Sequence, residues 1–364
     1  MTTTSPPLTD RLLAALTGSL EIAAVALGDR LGWYRCLAAD GPATAAELAE
    51  RTGTDARYAR EWLEHQAVSG YLTVDDVSAA PDARRFTLPA EHRAVLVDEL
   101  NPQYLTPLAT LTAAFLRQLP ALTEVYRGRR TLSWADLGDD ARTGQAAANR
   151  PFFLGPLVEE FLPAVPGVGA ALAAGGRVAD IGCGFGWSSI AMALHWPTAR
   201  VDGFDVDLPS VRQARRNAVE AAVAERVTVR TDDVRALLAD PDGDCRLEAA
   251  YDLVTAFECV HDLPDPVSVL AAMRRMVRPG GTVLVMDEAV DEEFTAPGSD
   301  IDRLMYGYSL LCCLPDGRSQ QPSVGTGTVM RPAVLRGYAR AAGFAEVEVL
   351  PLDAGFFRFY RLVT

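Results

Sequence analysis

The stretch Val178-Ala179-Asp180-Ile181-Gly182-Cys183-Gly184-Phe185-Gly186-Trp187 decides the fold of this chain of 364 residues. Its first residues are typical of a buried strand, and a helical segment, Ser188–His195, follows the three alternating glycines at once. Glycines let a ligand approach the backbone where side chains would block it. The first turn of a helix offers unpaired N–H groups to the same ligand. The pattern therefore predicts a strand–turn–helix unit that binds a nucleoside-type ligand.

Strands and helices alternate regularly from Gly176 to the C-terminus. This alternation predicts an α/β fold, a Rossmann-like doubly wound sheet that is mostly parallel and spans residues 151–364. An insertion at 290–330 interrupts it, and a terminal antiparallel hairpin ends it. The predicted strands are Arg177–Cys183, Arg200–Asp205, Val227–Asp233, Tyr251–Val260, Thr282–Asp287, Ala345–Pro351 and Gly355–Leu362. The predicted helices are Trp187–His195, Ser210–Val223, Pro266–Val277 and Pro332–Ala342.

Residues 1–150 are predicted to form a separate domain that is mostly α-helical. Its helices and hairpin follow the outline of a winged helix, with a capping-box pattern at Thr44 and Glu47. Such a domain either binds DNA or serves as a dimerisation and substrate-lid module. The predicted elements are helices at Leu8–Ala38, Pro42–Ala49 and Thr54–Val68, and strands at Tyr71–Val74 and Arg85–Leu88. Farther along, Trp134 is expected in a loop.

Composition limits the partners of the chain. The formal net charge is −14, and residues 40–90 carry five arginines against nine acidic residues, so nucleic acid is not an expected partner. No apolar run of about 18 residues lacks charge, so no membrane span is expected. Residues 1–10 do not resemble a signal peptide. A cytoplasmic location is therefore expected, with the cysteines as buried free thiols: Cys36, Cys183, Cys245, Cys259, Cys312 and Cys313.

Two residues of the opening stretch distinguish among nucleoside ligands. A dinucleotide fingerprint needs a small residue at the position that Trp187 occupies, because helix and strand must pack closely there. Asp180 stands at the strand end, where a carboxylate would repel a pyrophosphate but hold an ammonium group or its bridging water. The stretch therefore argues against NAD or FAD.

These residues resemble motif I of class I S-adenosylmethionine-dependent methyltransferases, and the resemblance continues in order over roughly Gly176–Gly343. It implies S-adenosylmethionine as cofactor, with Asp205 on the ribose hydroxyls and Asp233 at the adenine. Two alternatives stay open, since Asp205 could merely end a strand and Asp233 could merely cap a helix. The expected cofactor-binding residues are Asp180, Gly182, Gly184, Gly186, Asp205, Val206, Asp233, Val234, Phe257 and Glu258.

A winged helix ahead of this domain resembles dimeric small-molecule O-methyltransferases, which carry a His-Asp-Trp segment after the fourth strand. Here the segment is His261-Asp262-Leu263, so the tryptophan does not match. The resemblance implies His261 as general base, a role that an ordinary pKa of about 6.5 suits, and Glu288 as the acid that orients it. Alternatively, His261 caps the following loop and Glu288 is a solvated strand end.

No metal is expected. Some C-methyltransferases of this build hold iron with the His-Asp pair and a later histidine, but no histidine follows His261 in this sequence. Asp262 and Glu288 could supply oxygen ligands, but a metal is the less favoured alternative.

The insertion is expected to roof the acceptor pocket. Its aromatic residues, with others from upstream, suit a small aromatic or lipophilic acceptor, although each of them could equally be ordinary core at a domain interface. The candidate lining residues are Tyr104, Trp134, Asn149, Phe152, Phe153, Met305, Tyr306 and Tyr308.

The residues Asn149-Arg150-Pro151 and the stretch Gly325–Met330 also make the chain similar to regulator-like bacterial methyltransferases. Together, these resemblances imply a homodimeric enzyme of specialised metabolism that methylates a hydroxyl and dimerises through the N-terminal domain. The alternatives are N- or C-methylation by proximity, and a cofactor-sensing winged-helix transcriptional regulator.

Overall fold

The computed structural model describes residues 6–239 and 247–364, so Cys245 and the first five residues lie outside the described chain. Two compact units make up the fold. We call residues up to Ala114 together with Thr143–Pro151 the N-terminal unit, and Phe115–Arg142 together with Phe152–Thr364 the sheet unit. The predicted boundary near residue 150 lies next to Pro151, after which the chain enters the sheet unit for the last time. The segment Phe115–Arg142, which the prediction assigned to the first domain, belongs to the sheet unit.

The N-terminal unit has the helices and the short hairpin of a winged helix. The capping box at Thr44 is confirmed, since its hydroxyl accepts the N–H of Glu47 at 3.3 Å and Glu47 accepts the N–H of Thr44 at 2.8 Å. The aromatic rings of Trp33, Tyr34 and Trp62 pack in its core. Its elements are α1 (Leu8–Arg30), α2 (Trp33–Asp40), α3 (Ala45–Thr52), α4 (Ala56–Val68), β1 (Thr73–Val74), β2 (Phe86–Thr87), a 3-10 turn (Ala90–His92) and α5 (Arg93–Leu96).

Helix α1 is the one helix of the described chain that is long and apolar enough to cross a membrane. The expectation of no membrane span rests on the lack of an uncharged apolar run, whereas α1 is apolar enough despite its charged residues. Length and composition alone are weak evidence for a span, because core helices and signal sequences share them.

Helical segments connect the winged helix to the sheet. Trp134 begins a short helix, which corrects the prediction of a loop; its preceding residue, Ser133, forms a capping box with Asp136. The elements are α6 (Thr106–Leu116), α7 (Leu119–Tyr126), α8 (Trp134–Leu137), α9 (Asp139–Phe152), a π-helix (Phe153–Phe161), α10 (Leu162–Ala164) and α11 (Val168–Ala173).

Seven strands form one sheet in the order β5-β4-β3-β6-β7-β9-β8, which confirms the predicted fold class. All neighbours are parallel except β9, which runs antiparallel to β7 and β8 as the terminal hairpin requires. The strands are β3 (Arg177–Ile181), β4 (Arg200–Phe204), β5 (Val227–Arg230), β6 (Tyr251–Phe257), β7 (Val277–Glu288), β8 (Glu346–Val349) and β9 (Phe357–Val363). The helices are α12 (Trp187–His195), α13 (Leu208–Glu220), α14 (Val234–Ala239), α15 (Pro266–Met276), α16 (Asp300–Tyr308), a 3-10 turn (Val260–Asp262), a π-helix (Ser309–Cys313), α17 (Leu314–Gly317) and α18 (Pro332–Ala341).

Both faces of the sheet are buried, and successive residues of each strand enter opposite hydrophobic cores. Val178 packs into one core, whereas Ala179 and Ile181 pack into the other. The strand order reverses at β3, whose neighbours are β4 and β6. In open α/β sheets, ligands bind beyond the carboxyl ends of the strands at such a reversal. The residues after β3, β4, β6 and β7 are therefore the place to look for a site.

Candidate active site

The turn after β3 uses its three glycines in different ways. All have positive φ, at 69° for Gly182, 52° for Gly184 and 77° for Gly186, a conformation that other residues rarely adopt. A Cβ on Gly182 would lie 2.7 Å from Cys259 Sγ, and one on Gly186 would lie 3.0 Å from Ala214 Cβ. Beyond its chain neighbours, no described residue lies within 4 Å of a Cβ on Gly184. Packing thus requires two of the glycines, while Gly184 borders open space that a ligand can fill.

Asp180 is buried at the end of β3, before this turn. It is 1% exposed, and its two oxygens accept hydrogen bonds from Ser188 and Ser189 at 2.6 Å and from Thr255 at 2.8 Å. Three hydroxyls thus occupy the carboxylate within the chain, and its role toward an ammonium group or its bridging water stays a prediction. Asp180 joins β3 to the first turn of α12 and to β6.

Asp205 follows β4 and is tied to the glycine turn. Its carboxylate accepts the N–H of Gly184 at 2.8 Å and that of Asp207 at 2.8 Å. Burial raises the pKa of Asp205 to about 6, although these two N–H groups lower it. By surface area the residue is only half-buried, and the neighbouring Val206 is 68% exposed. The structure thus places this acid beside Gly184, the one of the three turn glycines that borders open space.

Asp233 is paired within the chain. Its two oxygens accept hydrogen bonds from the Arg235 guanidinium, one of them at 2.6 Å, and the N–H of Arg235 donates to it at 2.9 Å. Burial raises the pKa of Asp233, but Arg235 outweighs this and holds it below 3.8. Asp233 thus caps the start of α14, with Val234 buried behind it, and its contact with the adenine stays a prediction.

The segment after β6 places an aromatic and an acidic residue at the strand end. Phe257 is buried and its ring lies 6.1 Å from that of Phe153. Glu258 has a φ of 52°, which is rare outside glycine, while its N–H donates to Met286 O at 2.8 Å. Such strained positions are concentrated at functional sites.

His261 lies in the following 3-10 turn among three carboxylates. It is 3% exposed. Its Nδ1 is 2.6 Å from Asp287 Oδ1 and 3.3 Å from Glu288 Oε2, and its Nε2 is 3.3 Å from Asp262 Oδ1. A 2.6 Å contact fixes Nδ1 as the donor to Asp287 and leaves Nε2 as the nitrogen that can exchange a proton.

Burial and the neighbouring charges have opposite effects on the pKa of His261. Burial lowers the pKa of His261, but Asp262, Asp287 and Glu288 raise it, and the balance lies well above 6.5. Burial raises the pKa of Asp287, yet the imidazolium outweighs this and holds it below 3.8. Burial and the Asp287 charge raise the pKa of Glu288 well above 4.5 despite His261. The negative neighbours thus favour the protonated form of His261, His261 favours the ionised form of Asp287, and burial favours the protonated form of Glu288.

Sequence reasoning missed Asp287, which lies closer to His261 than the expected Glu288. The two acids are consecutive at the end of β7, where strand alternation directs neighbours to opposite faces. Both reach His261 here, and the N–H of Glu288 also donates to Asp287 at 3.1 Å. The signal was present as a pair of acids ending a buried strand, but the sequence does not say which one faces the histidine.

The expected lining residues fall into separate places. Tyr104 and Asn149 belong to the N-terminal unit, where Tyr104 lines a cavity of about 260 Å³. In the sheet unit, Phe152 and Phe153 join an aromatic cluster on the sheet, Met305 is 1% exposed and Tyr306 is 41% exposed. The remaining two, Trp134 and Tyr308, each contact another part of the sheet unit. The backbone N–H of Trp134 donates to Asp316 at 2.7 Å, and the Tyr308 ring lies 5.9 Å from that of Phe115.

Two groups of side chains place potential metal ligands close together. Ligand atoms of His261, Asp262 and Cys313 lie within 4.8 Å of one another, and so do those of His261, Asp287 and Glu288. The expectation that the site works without a metal stays a prediction.

Known proteins match both halves of the chain. A family described as "Methyltransferase domain" matches residues 178–281, and one described as "Rv2258c-like winged HTH domain" matches residues 19–98. The ubiquinone biosynthesis O-methyltransferase of Azotobacter vinelandii is 31% identical over 192 residues, which cover 52% of this chain and 74% of that protein.

Solved structures match the whole chain. A structure of PigF with SAH gives a TM-score of 0.74 at 21% identity and covers 99% of this chain and 100% of that one. The mitomycin 7-O-methyltransferase MmcR gives 0.68 at 22% identity and covers 98% and 97%. These two likenesses show the fold, and the A. vinelandii relative shows the family. The chain therefore belongs to the S-adenosylmethionine-dependent O-methyltransferase family, and S-adenosylmethionine is its cofactor.

Proposed function

We propose that this protein methylates a hydroxyl group of a small aromatic or lipophilic acceptor, with His261 as general base. The observation that carries the proposal is the buried pair in which His261 Nδ1 lies 2.6 Å from Asp287 Oδ1. A histidine held this way presents a fixed Nε2 to an acceptor. The matched relative is named as an O-methyltransferase, which supports oxygen as the acceptor atom.

The residues after β3 and β4 fit the cofactor. The open side of Gly184 allows close approach to the backbone, and Asp205 beside it can accept two hydrogen bonds from ribose hydroxyls. Glu258, at the end of β6, adds a negative charge suited to an ammonium or sulfonium group. When bound, the cofactor supplies the methyl group.

His261 must be neutral to accept the acceptor's proton. Because its pKa lies well above 6.5, a fraction of the histidine is already protonated near neutral pH. A positively charged cofactor nearby lowers this pKa by repulsion and so favours the basic form. The proton of the acceptor hydroxyl then passes to Nε2, and Asp287 stabilises the resulting imidazolium.

The proposal is tested by screening phenolic and alcoholic acceptors for release of S-adenosylhomocysteine, with mass spectrometry for a gain of one methyl group. His261→Ala should keep S-adenosylhomocysteine binding but lose about 10²–10⁴-fold in rate. Unchanged turnover, or a product methylated on nitrogen or carbon, would favour the alternative of methylation by proximity.

We further propose that a second copy of the chain covers α1. Its leucines are largely exposed, with Leu12 at 69%, Leu16 at 55% and Leu20 at 59%. Glu21, which accepts a hydrogen bond from Tyr71 Oη at 3.3 Å, would place a carboxylate within the bilayer if α1 spanned a membrane. Light scattering should show a dimer, and Leu16→Glu with Leu20→Glu should give monomers. A monomeric parent protein contradicts this assignment.

The winged-helix match makes DNA binding a second candidate, but the charges of this unit oppose it. Four of its arginines pair with acids: Arg57 with Glu61, Arg60 with Asp82, Arg84 with Glu64 and Arg85 with Glu47. Such pairs leave little net positive charge for phosphates. A gel-shift assay at low salt with genomic fragments tests this candidate. Specific retention of a fragment would show that the unit binds DNA despite its charge.

A further inference from the structure

We propose that Arg142 is a positioning residue that couples cofactor binding to the segment covering His261. This inference rests on the proposed role of Asp205 at the ribose. It concerns the segment Phe115–Arg142, which we call the connecting segment, and Asp300–Gly317, which we call the roof segment. Both lie in the sheet unit.

At one end of this coupling, Arg142 binds Asp207, which lies next to the proposed ribose site. Its guanidinium donates two parallel hydrogen bonds to Asp207, each of 2.8 Å, and is 7% exposed. The N–H of Asp207 donates to Asp205 at 2.8 Å, and its carboxylate also caps α13 through Ser210. Two parallel bonds fix the orientation of a guanidinium as well as its position. Any change in how Asp205 is held is therefore passed to Arg142 through one residue.

At the other end, the connecting segment holds the roof segment at three places. The Phe115 ring lies 5.9 Å from the Tyr308 ring, the Tyr126 hydroxyl donates to Leu310 O at 2.9 Å, and the Trp134 N–H donates to Asp316 at 2.7 Å. The sequence separation of these pairs, up to 193 residues for Phe115 and Tyr308, shows that chain proximity does not create them.

The roof segment in turn reaches the proposed base. Cys313 Sγ lies within 4.8 Å of ligand atoms of His261 and Asp262, and Gly317 packs so closely that a Cβ there would be 3.0 Å from Asp262 O. These contacts, together with the chain of the connecting and roof segments between them, thus link Asp205 to His261 by way of Arg142.

The expected consequence is cooperative binding. Ribose hydroxyls on Asp205 fix the turn at Asp207, which steadies Arg142 and, with it, the roof segment over the acceptor side. A cofactor that orders the roof raises acceptor affinity, and by linkage the acceptor raises cofactor affinity equally. Coupling is an energetic property, so the test measures the order of the roof segment directly.

The experiment is hydrogen–deuterium exchange of the full chain with and without saturating S-adenosylhomocysteine, which needs no acceptor. In the parent protein, roof amides should exchange about fivefold more slowly with the ligand. In Arg142→Met, and in the double variant Arg142→Met with Asp207→Asn, that protection should be lost at equal ligand occupancy. The double variant removes both buried charges and keeps a good helix cap, so it decides the matter if the single variant does not fold.

Arg117→Met is the matched control. It breaks an exposed ion pair, Arg117 with Asp140 at 2.6 Å, on the same connecting segment, and should keep full roof protection. Equal protection in all variants, or no protection in the parent protein, overturns the inference. An unchanged S-adenosylhomocysteine affinity in Asp205→Ala would instead refute the ribose role of Asp205, independently of the exchange pattern.

Discussion

The substitution Asp287→Asn tests the proposed base most sharply. It removes the charge that lies 2.6 Å from His261 Nδ1 while keeping the shape of a side chain that is 1% exposed. Two unit charges about 4 Å apart interact by about 4 kcal/mol at an effective dielectric of about 20, or about 3 pKa units. The pKa of His261 should therefore fall by up to that amount.

Two measurements follow this change. The chain has four histidines, so NMR titration of their ring protons in the S-adenosylhomocysteine complex reports the pKa of His261 directly. With an accepted substrate, kcat/KM of the parent enzyme should rise with pH through a value above 6.5, because the base must lose its proton to act. In the variant, that rise should move to lower pH. The plateau should drop by about 10²–10⁴-fold, because an amide no longer fixes the tautomer.

Glu288→Gln is the matched control. Because burial and the Asp287 charge raise the pKa of Glu288 well above 4.5, the amide imitates its protonated form. The rate should therefore change by less than about fivefold, or 1 kcal/mol. If Glu288→Gln abolishes activity while Asp287→Asn leaves the pKa of His261 in place, Glu288 orients the base and our assignment is refuted.

Three further outcomes concern the cofactor side. Gly182→Ala should lower the free energy of unfolding by about 1–3 kcal/mol, because its Cβ would lie 2.7 Å from Cys259 Sγ; an unchanged thermal melt contradicts this. S-adenosylhomocysteine should bind more weakly as pH falls through about 6, where Asp205 gains a proton, and calorimetry showing flat affinity from pH 5 to 8 would exclude Asp205 as a ribose acceptor. Asp180→Asn should cost about 1–3 kcal/mol in urea denaturation, because three hydroxyls donate to the native carboxylate.

Local patterns predicted the fold well. The glycine turn, the alternation of strands and helices and the capping box at Thr44 each depend on neighbours within a few residues, and the structure confirms them. Helix α12 has the predicted bounds, Trp187–His195, because a glycine at one end and a tight turn at the other define it.

Contacts between distant segments could not be predicted in the same way. Arg142 and Asp207 are 65 residues apart in the sequence, and the residues around either one do not indicate that the two pair. The choice between Asp287 and Glu288 depends on how β7 ends beside the 3-10 turn. Asp233 matched the position of a ligand residue, yet a neighbour two residues away, Arg235, holds its carboxylate. The sequence motif therefore indicates where Asp233 lies in the chain, but not which side chains contact its carboxylate.

The course of helix α9 determines where the chain can be divided for truncations and chimeras. Its first residues, up to Arg142, belong to the sheet unit, Thr143–Pro151 belong to the N-terminal unit, and Phe152 returns to the sheet unit. A truncation beginning at Phe152 would retain every strand of the large sheet but discard Tyr126, Trp134 and Arg142. The chain therefore cannot be divided at residue 151 into two parts that each keep all of their own segments. Chimeras that exchange acceptor preference between relatives should carry residues 115–142 with the sheet, and not with the winged helix that encloses them in the sequence.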